Sequence, residues 1–246
     1  MFAIYKKELR SYFLNAIGYV YVGVFLSAAA LICCLTTLMA ATYDTSSYFQ
    51  MLIFTFVILI PLLTMKLFSE EKKLRTEQLL LTAPVSIPSM IFGKYFAAMT
   101  IFEGSLLVSC INLFPLYAYK NAEESADALS YAGPITSQII GCIIGVTLIG
   151  AAFVAIGMFI SSLTENQLAA AVATIAVIVL MLVLNVANSY IDSYFVRSVI
   201  NWVCVISRFD NFAAGILDLS SMLYYISLAA VFLLLTGRVY EKRRWG

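Results

Sequence analysis

Apolar residues run along this chain in blocks, and polar residues gather in the gaps between them. The blocks cover about Ala16 to Ala41, Gln50 to Leu67, Tyr95 to Tyr119, Ile135 to Leu163, Gln167 to Tyr190 and Asp218 to Arg238. Each approaches the roughly 20 residues that an α-helix needs to cross the hydrocarbon core of a bilayer, so the pattern predicts six spans. Pro61 inside the second block and Pro115 near the far end of the third make a kink expected in each. Asp44, Ser46 and Ser47 stand where they can cap the second span, and Gly133 with Pro134 starts the fourth abruptly.

Two gaps carry their own periodicity. From Met1 to Asn15, Phe2, Tyr5, Leu9, Tyr12 and Phe13 recur at helical spacing, with Lys6, Lys7, Glu8 and Arg10 on other sides. This suits an interfacial helix over residues 1–15, apolar side down and basic side toward anionic lipid. A signal peptide is the competing reading; the length of the first apolar block and the presence of Glu8 favour a retained span. Between the fifth and sixth blocks, residues 187–217 are long yet not very polar. Ile191, Phe195, Val199, Trp202 and Ile206 recur three or four residues apart, with Asp192, Arg197 and Arg208 between them. That pattern predicts a membrane-associated outer segment, against the alternative of an ordinary loop with incidental aromatics. No soluble domain, low-complexity tract or internal repeat stands out, so residues 1–246 read as a single transmembrane domain.

Composition agrees with the pattern. Of 246 residues, 62% are hydrophobic and 12% charged, well outside the range of soluble globular domains. The expectation is an all-α, polytopic membrane protein. A net charge of +1 gives no support to nucleic acid as a partner, and the absence of histidine removes imidazole acid/base chemistry and most metal sites. The five cysteines, Cys33, Cys34, Cys110, Cys142 and Cys204, read as small hydrophobes rather than a disulfide framework. Where charge falls is more informative than its sum. One set of connections holds Lys6, Lys7, Arg10, Lys66, Lys72, Lys73, Arg75, Lys94, Arg238, Lys242, Arg243 and Arg244, and the other only Lys120, Arg197 and Arg208. The excess of positive charge on inner loops then puts both termini and the 66–94 loop in the cytoplasm of a cell-membrane protein.

That loop, KLFSEEKKLRTEQLLLTAPVSIPSMIFGK, is a dense island of charge. It reads as two short helices: Ser69 can cap one whose first turn carries Glu70 and Glu71 at the positive end of the dipole, and Pro84 and Pro88 end it and set the entry to the third span. Solvation explains the charges but not Leu74, Leu79, Leu80 and Leu81, which call for a partner surface, either this chain's own helices or a docked protein. Glu103 is the acidic residue lying well inside a predicted span. It marks either a pathway or proton relay, or a protonated carboxyl bonded to Ser105, Ser109 or a neighbouring helix. Asn112, Asn185 and Asn188 can bond between helices, and Gly141, Gly145, Gly150 and Gly157 read as packing positions.

The run SEEKKLRTEQLLLTAPVSIPSMIFGKY resembles the first cytoplasmic loop of permease subunits in the type-2 family of ABC exporters. Those loops carry an E-x-x-x-x-T-x-E-x-L-L-x-x-P-V-S pattern followed by a G-K pair. Here the positions are Glu71, Thr76, Glu77 or its neighbours, Leu79, Leu80, Pro84, Val85, Ser86, Gly93 and Lys94. The start MFAIYKKELRSYF and the run RFDNFAAGILDLSSMLYY are similar to the branch that includes gliding-motility-associated permeases. The resemblance implies a six-span half-transporter that pairs with a second permease, identical or paralogous, and with two cytoplasmic ATPase subunits. It implies that Glu70, Glu71, Arg75, Thr76, Glu77, Leu79, Leu80 and Pro84 belong to a coupling helix seated on the ATPase, and that Lys6, Lys7 and Arg10 lie on an interfacial helix touching lipid and ATPase together. An amphipathic substrate would pass between the permeases, near the second and fifth spans, with the outer segment as a gate.

No ATP site is encoded in the chain itself. Gly93-Lys94-Tyr95 lacks the earlier glycine and the following hydroxyl of a phosphate-binding loop, so this chain binds no cofactor and ATP with Mg would sit on the partner. Glu70, Glu71 and Arg75 also spell the first motif of an intramembrane glutamic protease, but those enzymes require histidines. The expectation is a transport subunit and not an enzyme; the alternative from another class is a secondary transporter or channel using Glu103.

Overall fold

The computed structural model describes residues 1–40, 43–76, 78, 86–117, 135–188 and 204–245. The described chain is all-α and polytopic, with six helices long and apolar enough to cross a membrane. Helix α1 (Phe2–Leu14) precedes the first span, α2 (Ala16–Cys33), which a π-helical turn (Cys34–Leu38) continues. Next come α3 (Ser46–Thr64) and the short α4 (Ser69–Lys73). After α5 (Ile87–Ser109), α6 (Thr136–Leu163) and α7 (Gln167–Asn188), the short α8 (Phe209–Ala213) leads into α9 (Leu219–Trp245).

The core is built around α6. Of its apolar stretch 67% is buried, against 22% for α7, because α6 packs on α3, α5, α7, α8 and α9. Its small residues permit this. A Cβ on Gly150 would meet the Phe102 ring of α5 at 2.3 Å, and one on Gly157 would meet Thr64 Oγ1 of α3 at the same 2.3 Å. The glycines are therefore packing positions that larger side chains cannot fill without pushing spans apart. Phe25, Phe56 and Phe102 complete the centre, with ring centroids 6.4, 5.2 and 6.3 Å apart across α2, α3 and α5.

The two prolines act differently. Pro61 sits inside α3, which continues to Thr64. Pro115 lies just beyond a 3-10 segment, Cys110–Leu113, in which the third span tightens. A proline ring crowds the carbonyl four residues before it, here Ile111, and removes one donor, so the backbone leaves α geometry in that turn.

Polar residues collect at the two ends of the bundle. At one end, Asp44 Oδ1 accepts from the backbone N–H and hydroxyl of Ser46 at 2.9 and 2.7 Å, and from Gln138 of α6 at 3.2 Å. At the same end Asp218 caps α9, accepting from the Ser221 hydroxyl at 2.6 Å and the Ser220 N–H at 3.0 Å. Arg208 lies over the Tyr224 ring at 4.2 Å. Residues 189–203, about half of the expected outer segment, and Gly133 and Pro134 lie outside the described residues.

Candidate functional site

The other end of the bundle holds most of the described ion pairs. Helix α1 turns sharply into α2 at Asn15, whose backbone is extended (φ −94°, ψ 148°). Gly18 makes the fold-back possible, since a Cβ there would stand 2.4 Å from the Tyr12 carbonyl oxygen. The turn lays α1 along the start of α5, where Gly93 leaves room for Ile4 and Tyr5 Oη meets Thr100 Oγ1 at 3.1 Å. Helix α1 thus sets Glu8 and Tyr12 inward and buried, while Phe2 and Phe13 are exposed. The helix docks on its own chain through Ile4, Tyr5, Glu8 and Tyr12 and leaves Phe2 and Phe13, of the expected apolar side, on its outer surface. The Tyr12 hydroxyl donates to the Leu63 carbonyl at 2.7 Å, and burial pushes its phenol far above the ordinary value.

Lys94 is the centre of this region. Its side chain is 1% exposed, and its ammonium meets Glu8 Oε1 at 3.0 Å, Glu71 Oε1 at 3.0 Å and the Leu67 carbonyl at 2.8 Å. Every donor of the ammonium therefore has an acceptor. Beneath it lies the Phe68 ring, 5.2 Å from Nζ, and Phe68 in turn stacks on Tyr240 of α9 at 4.7 Å. Lys7 joins from outside, 3.2 Å from Glu71 and 3.5 Å from Glu8. Burial pulls the Lys7 ammonium down, but the two carboxylates outweigh it and hold it above its ordinary value. Two lysines and two glutamates alternate, so the cluster is neutral as a whole. It joins α1, α4, the start of α5 and the stretch after α3.

Helix α4 is positioned by α6. The Ser161 hydroxyl accepts from the backbone N–H of Phe68 and Ser69 at 3.2 and 3.3 Å and donates to the Met65 carbonyl at 3.2 Å. Ser69 itself does not cap. Its hydroxyl bonds back to the Met65 carbonyl, so the expected cap comes from another helix. The C-terminus of α4 is a Schellman turn: Thr76 N–H donates to Glu71 O and Arg75 N–H to Lys72 O, each at 3.0 Å. Arg75 occupies the left-handed position of that turn, with φ +56°. Helix α4 ends at Lys73, short of the extent expected from the sequence, and Pro88 stands in the first turn of α5, at the entry to the third span.

The sequence-derived residues thus separate. Glu71 is brought into the Lys94 cluster, and Glu70 pairs more loosely with Lys66 at 3.8 Å. Arg75 and Thr76 are exposed at the turn, as is Leu74 at 64%. Glu77, Leu79, Leu80 and Pro84 lie outside the described residues. Lys6 and Arg10 are exposed on α1. Glu8 and Lys94 are the functional candidates that sequence reasoning underweighted; the signal was a lysine and a glutamate, each in a stretch of otherwise apolar helical spacing.

Glu103 lies on α5, deeper in the bundle. Its Oε2 accepts from the Thr147 hydroxyl of α6 at 3.2 Å, while its buried Oε1 has no partner among the described residues. Tyr21 Oη of α2 is likewise buried without one. Ser105 and Ser109 do not serve Glu103: their hydroxyls bond back to Ile101 and Leu106 carbonyls at 2.9 and 2.7 Å. The neighbouring helix supplies its partner instead. Among the described residues no group of His, Cys, Asp and Glu could hold a metal ion.

Six apolar helices with polar clusters at both ends define a multi-pass membrane protein. No protein-family profile matches the chain, and comparison with curated proteins returns no match.

Proposed function

We propose that this chain is the transmembrane permease subunit of an ATP-driven exporter, working with a second permease on two cytoplasmic ABC ATPase subunits. The observation that carries the reading is the Lys94 cluster. Glu71, at the root of the 74–86 connection, and Glu8, on α1, both hold the first turns of the third span. A force applied to that connection from outside would reach α5 through an ion pair that is 1% exposed on one side and 16% on the other. Buried, hydrogen-bonded charge pairs are stiff links because separating them leaves a desolvated charge. Leu74 and the leucines after it offer the apolar contact that a docked ATPase requires.

On this reading both termini and the 66–94 connection are cytoplasmic, since lysine and arginine concentrate there. ATP and Mg²⁺ belong to the partner, whose closure would drive the connection, tilt α5 against α6 and move an amphipathic substrate outward. Helix α7, 22% of whose apolar stretch is buried, keeps most of its surface for lipid or the second permease. The test is affinity purification of the chain expressed with its neighbouring genes, with and without Leu79→Asp/Leu80→Asp. An ATPase should co-purify with the wild type and be lost from the variant. Recovery of no ATPase, or unaltered transport by the variant, ends this reading.

One observation favours a second reading, a secondary transporter or channel. The Oε1 of Glu103, without a partner among the described residues, is a membrane-depth acceptor for a proton or a ligand. Transport by Glu103→Gln that is unchanged at every pH removes that support.

A further inference from the structure

A recess lies away from both polar clusters, between α5, α6 and α9. Its volume is about 480 Å³, within the range of small-molecule sites, and it starts at Pro88 and Arg238 and reaches Leu148 and Tyr225. From Arg238 to Tyr225 the helical rise gives it a length of roughly 20 Å. That is comparable with the depth of one leaflet, half of a hydrocarbon core about 30 Å thick.

Small residues create the recess. Ala230 and Gly237 of α9 face it, and a Cβ added at Gly237 would only reach ordinary contact with Ile91 Cδ1 at 3.7 Å, so the gap is not closed by packing. Its walls are apolar even where tyrosines line it. The hydroxyl of Tyr95 donates to the Ala151 carbonyl at 3.1 Å and that of Tyr225 to the Val205 carbonyl at 2.6 Å, which leaves the rings as hydrocarbon surface. An ion pair stands at the mouth: Arg238 and Glu241, 2.9 Å apart, 83% and 44% exposed.

We propose that this groove binds a zwitterionic phospholipid of the ethanolamine class, one acyl chain in the groove, its phosphate on Arg238 and its ammonium on Glu241. Charge complementarity selects the headgroup. An anionic lipid brings its phosphate against Arg238 but leaves Glu241 unanswered beside it, and a neutral diacylglycerol answers neither. An ethanolamine head replaces one exposed ion pair with two, and exposed pairs hold together weakly enough to be opened. The mouth also lies at the end of the bundle where headgroups would be expected, level with the first turns of α5.

The test uses the full chain in detergent, loaded with palmitoyl-oleoyl phosphatidylethanolamine, with the phosphatidylglycerol of the same chains, or with diacylglycerol, and read by native mass spectrometry. The wild type should retain the ethanolamine lipid at least fivefold over the other two. Gly237→Leu, which fills the groove, should lose that adduct. Arg238→Ala/Glu241→Ala, at exposed positions where the fold is undisturbed, should keep acyl binding but lose the headgroup preference. Equal retention of phosphatidylglycerol or diacylglycerol by the wild type overturns the headgroup assignment. Full ethanolamine-lipid retention by the Gly237→Leu protein overturns the groove.

Discussion

Lys94 and Glu103 stand on the same helix, α5, roughly 13 Å apart along its axis at 1.5 Å rise per residue. Their surroundings are opposite. Lys94 meets two carboxylates, a carbonyl and an aromatic face within a neutral cluster, and is 1% exposed. Glu103 has one oxygen served by Thr147 and the other buried without a partner among the described residues. A completed charge cluster fixes geometry and transmits displacement. An incomplete one leaves an acceptor available, which suits chemistry or binding and contributes little stiffness.

The largest effect should come from breaking the complete cluster. Lys94→Met removes the cation between Glu8 and Glu71 and should destabilise the protein by about 3–5 kcal/mol, the range for breaking a buried pair. Thermal unfolding in detergent measures the loss, and hydrogen exchange should show it first in α1, which Glu8 tethers. Adding Glu8→Gln and Glu71→Gln to Lys94→Met should recover most of it, because the one cluster charge then left, Lys7, is 59% exposed and keeps its solvation. A triple variant as unstable as the single would mean that Lys94 acts through packing on Phe68 instead.

The same contrast explains what the sequence could reveal. Six spans were legible because apolar blocks of helical length admit few alternatives in a bilayer. The packing role of Gly150 and Gly157 followed from residue size alone. Glu71 was legible as a charged residue near a loop, whereas its pairing with Lys94 was not, since the two stand on different helices, α4 and α5, and Glu8 joins them only because α1 folds back at Asn15 and Gly18. The cap on α4 escaped for the same reason: it comes from Ser161, far away in the chain. Local signals read well, and contacts between elements distant in sequence do not. Leu79, Leu80 and Pro84, on which the proposed ATPase contact depends, lie outside the described residues, so that part of the site still rests on sequence.

Two smaller changes sharpen the contrast. Arg75 holds a left-handed conformation that costs a non-glycine residue about 1–2 kcal/mol. Arg75→Gly should therefore stabilise the protein by up to about 1 kcal/mol, measured by unfolding, because glycine adopts that conformation freely. If partner-stimulated ATPase activity survives, Arg75 serves the turn; a loss of activity with stability gained assigns the guanidinium to the partner contact. Glu103→Gln should cost less than about 1.5 kcal/mol, since the amide keeps a carbonyl oxygen for Thr147 and at most weakens that one hydrogen bond. A cost comparable to that of Lys94→Met would show Glu103 to be part of a completed network after all.

Asp44, at the far end of the bundle, is the carboxylate that Glu103 is not. The Ser46 hydroxyl, which outweighs the effect of burial, holds it below its ordinary value together with the Ser46 N–H and the Gln138 amide. A carboxylate lowered on folding contributes stability that is whole above its unfolded value of 3.8 and fades as pH falls through the lower folded value. Because Asp44 is exposed, solvent screening limits this to less than about 1 kcal/mol. Asp44→Asn should therefore leave unfolding near neutral pH almost unchanged while flattening the acid limb below pH 3.8, as a pH series of melting temperatures would show. An unchanged acid limb would mean that the donors around Asp44 hold the neutral acid as well as the carboxylate. The distinction between served and unserved carboxylates would then rest on Glu103 alone.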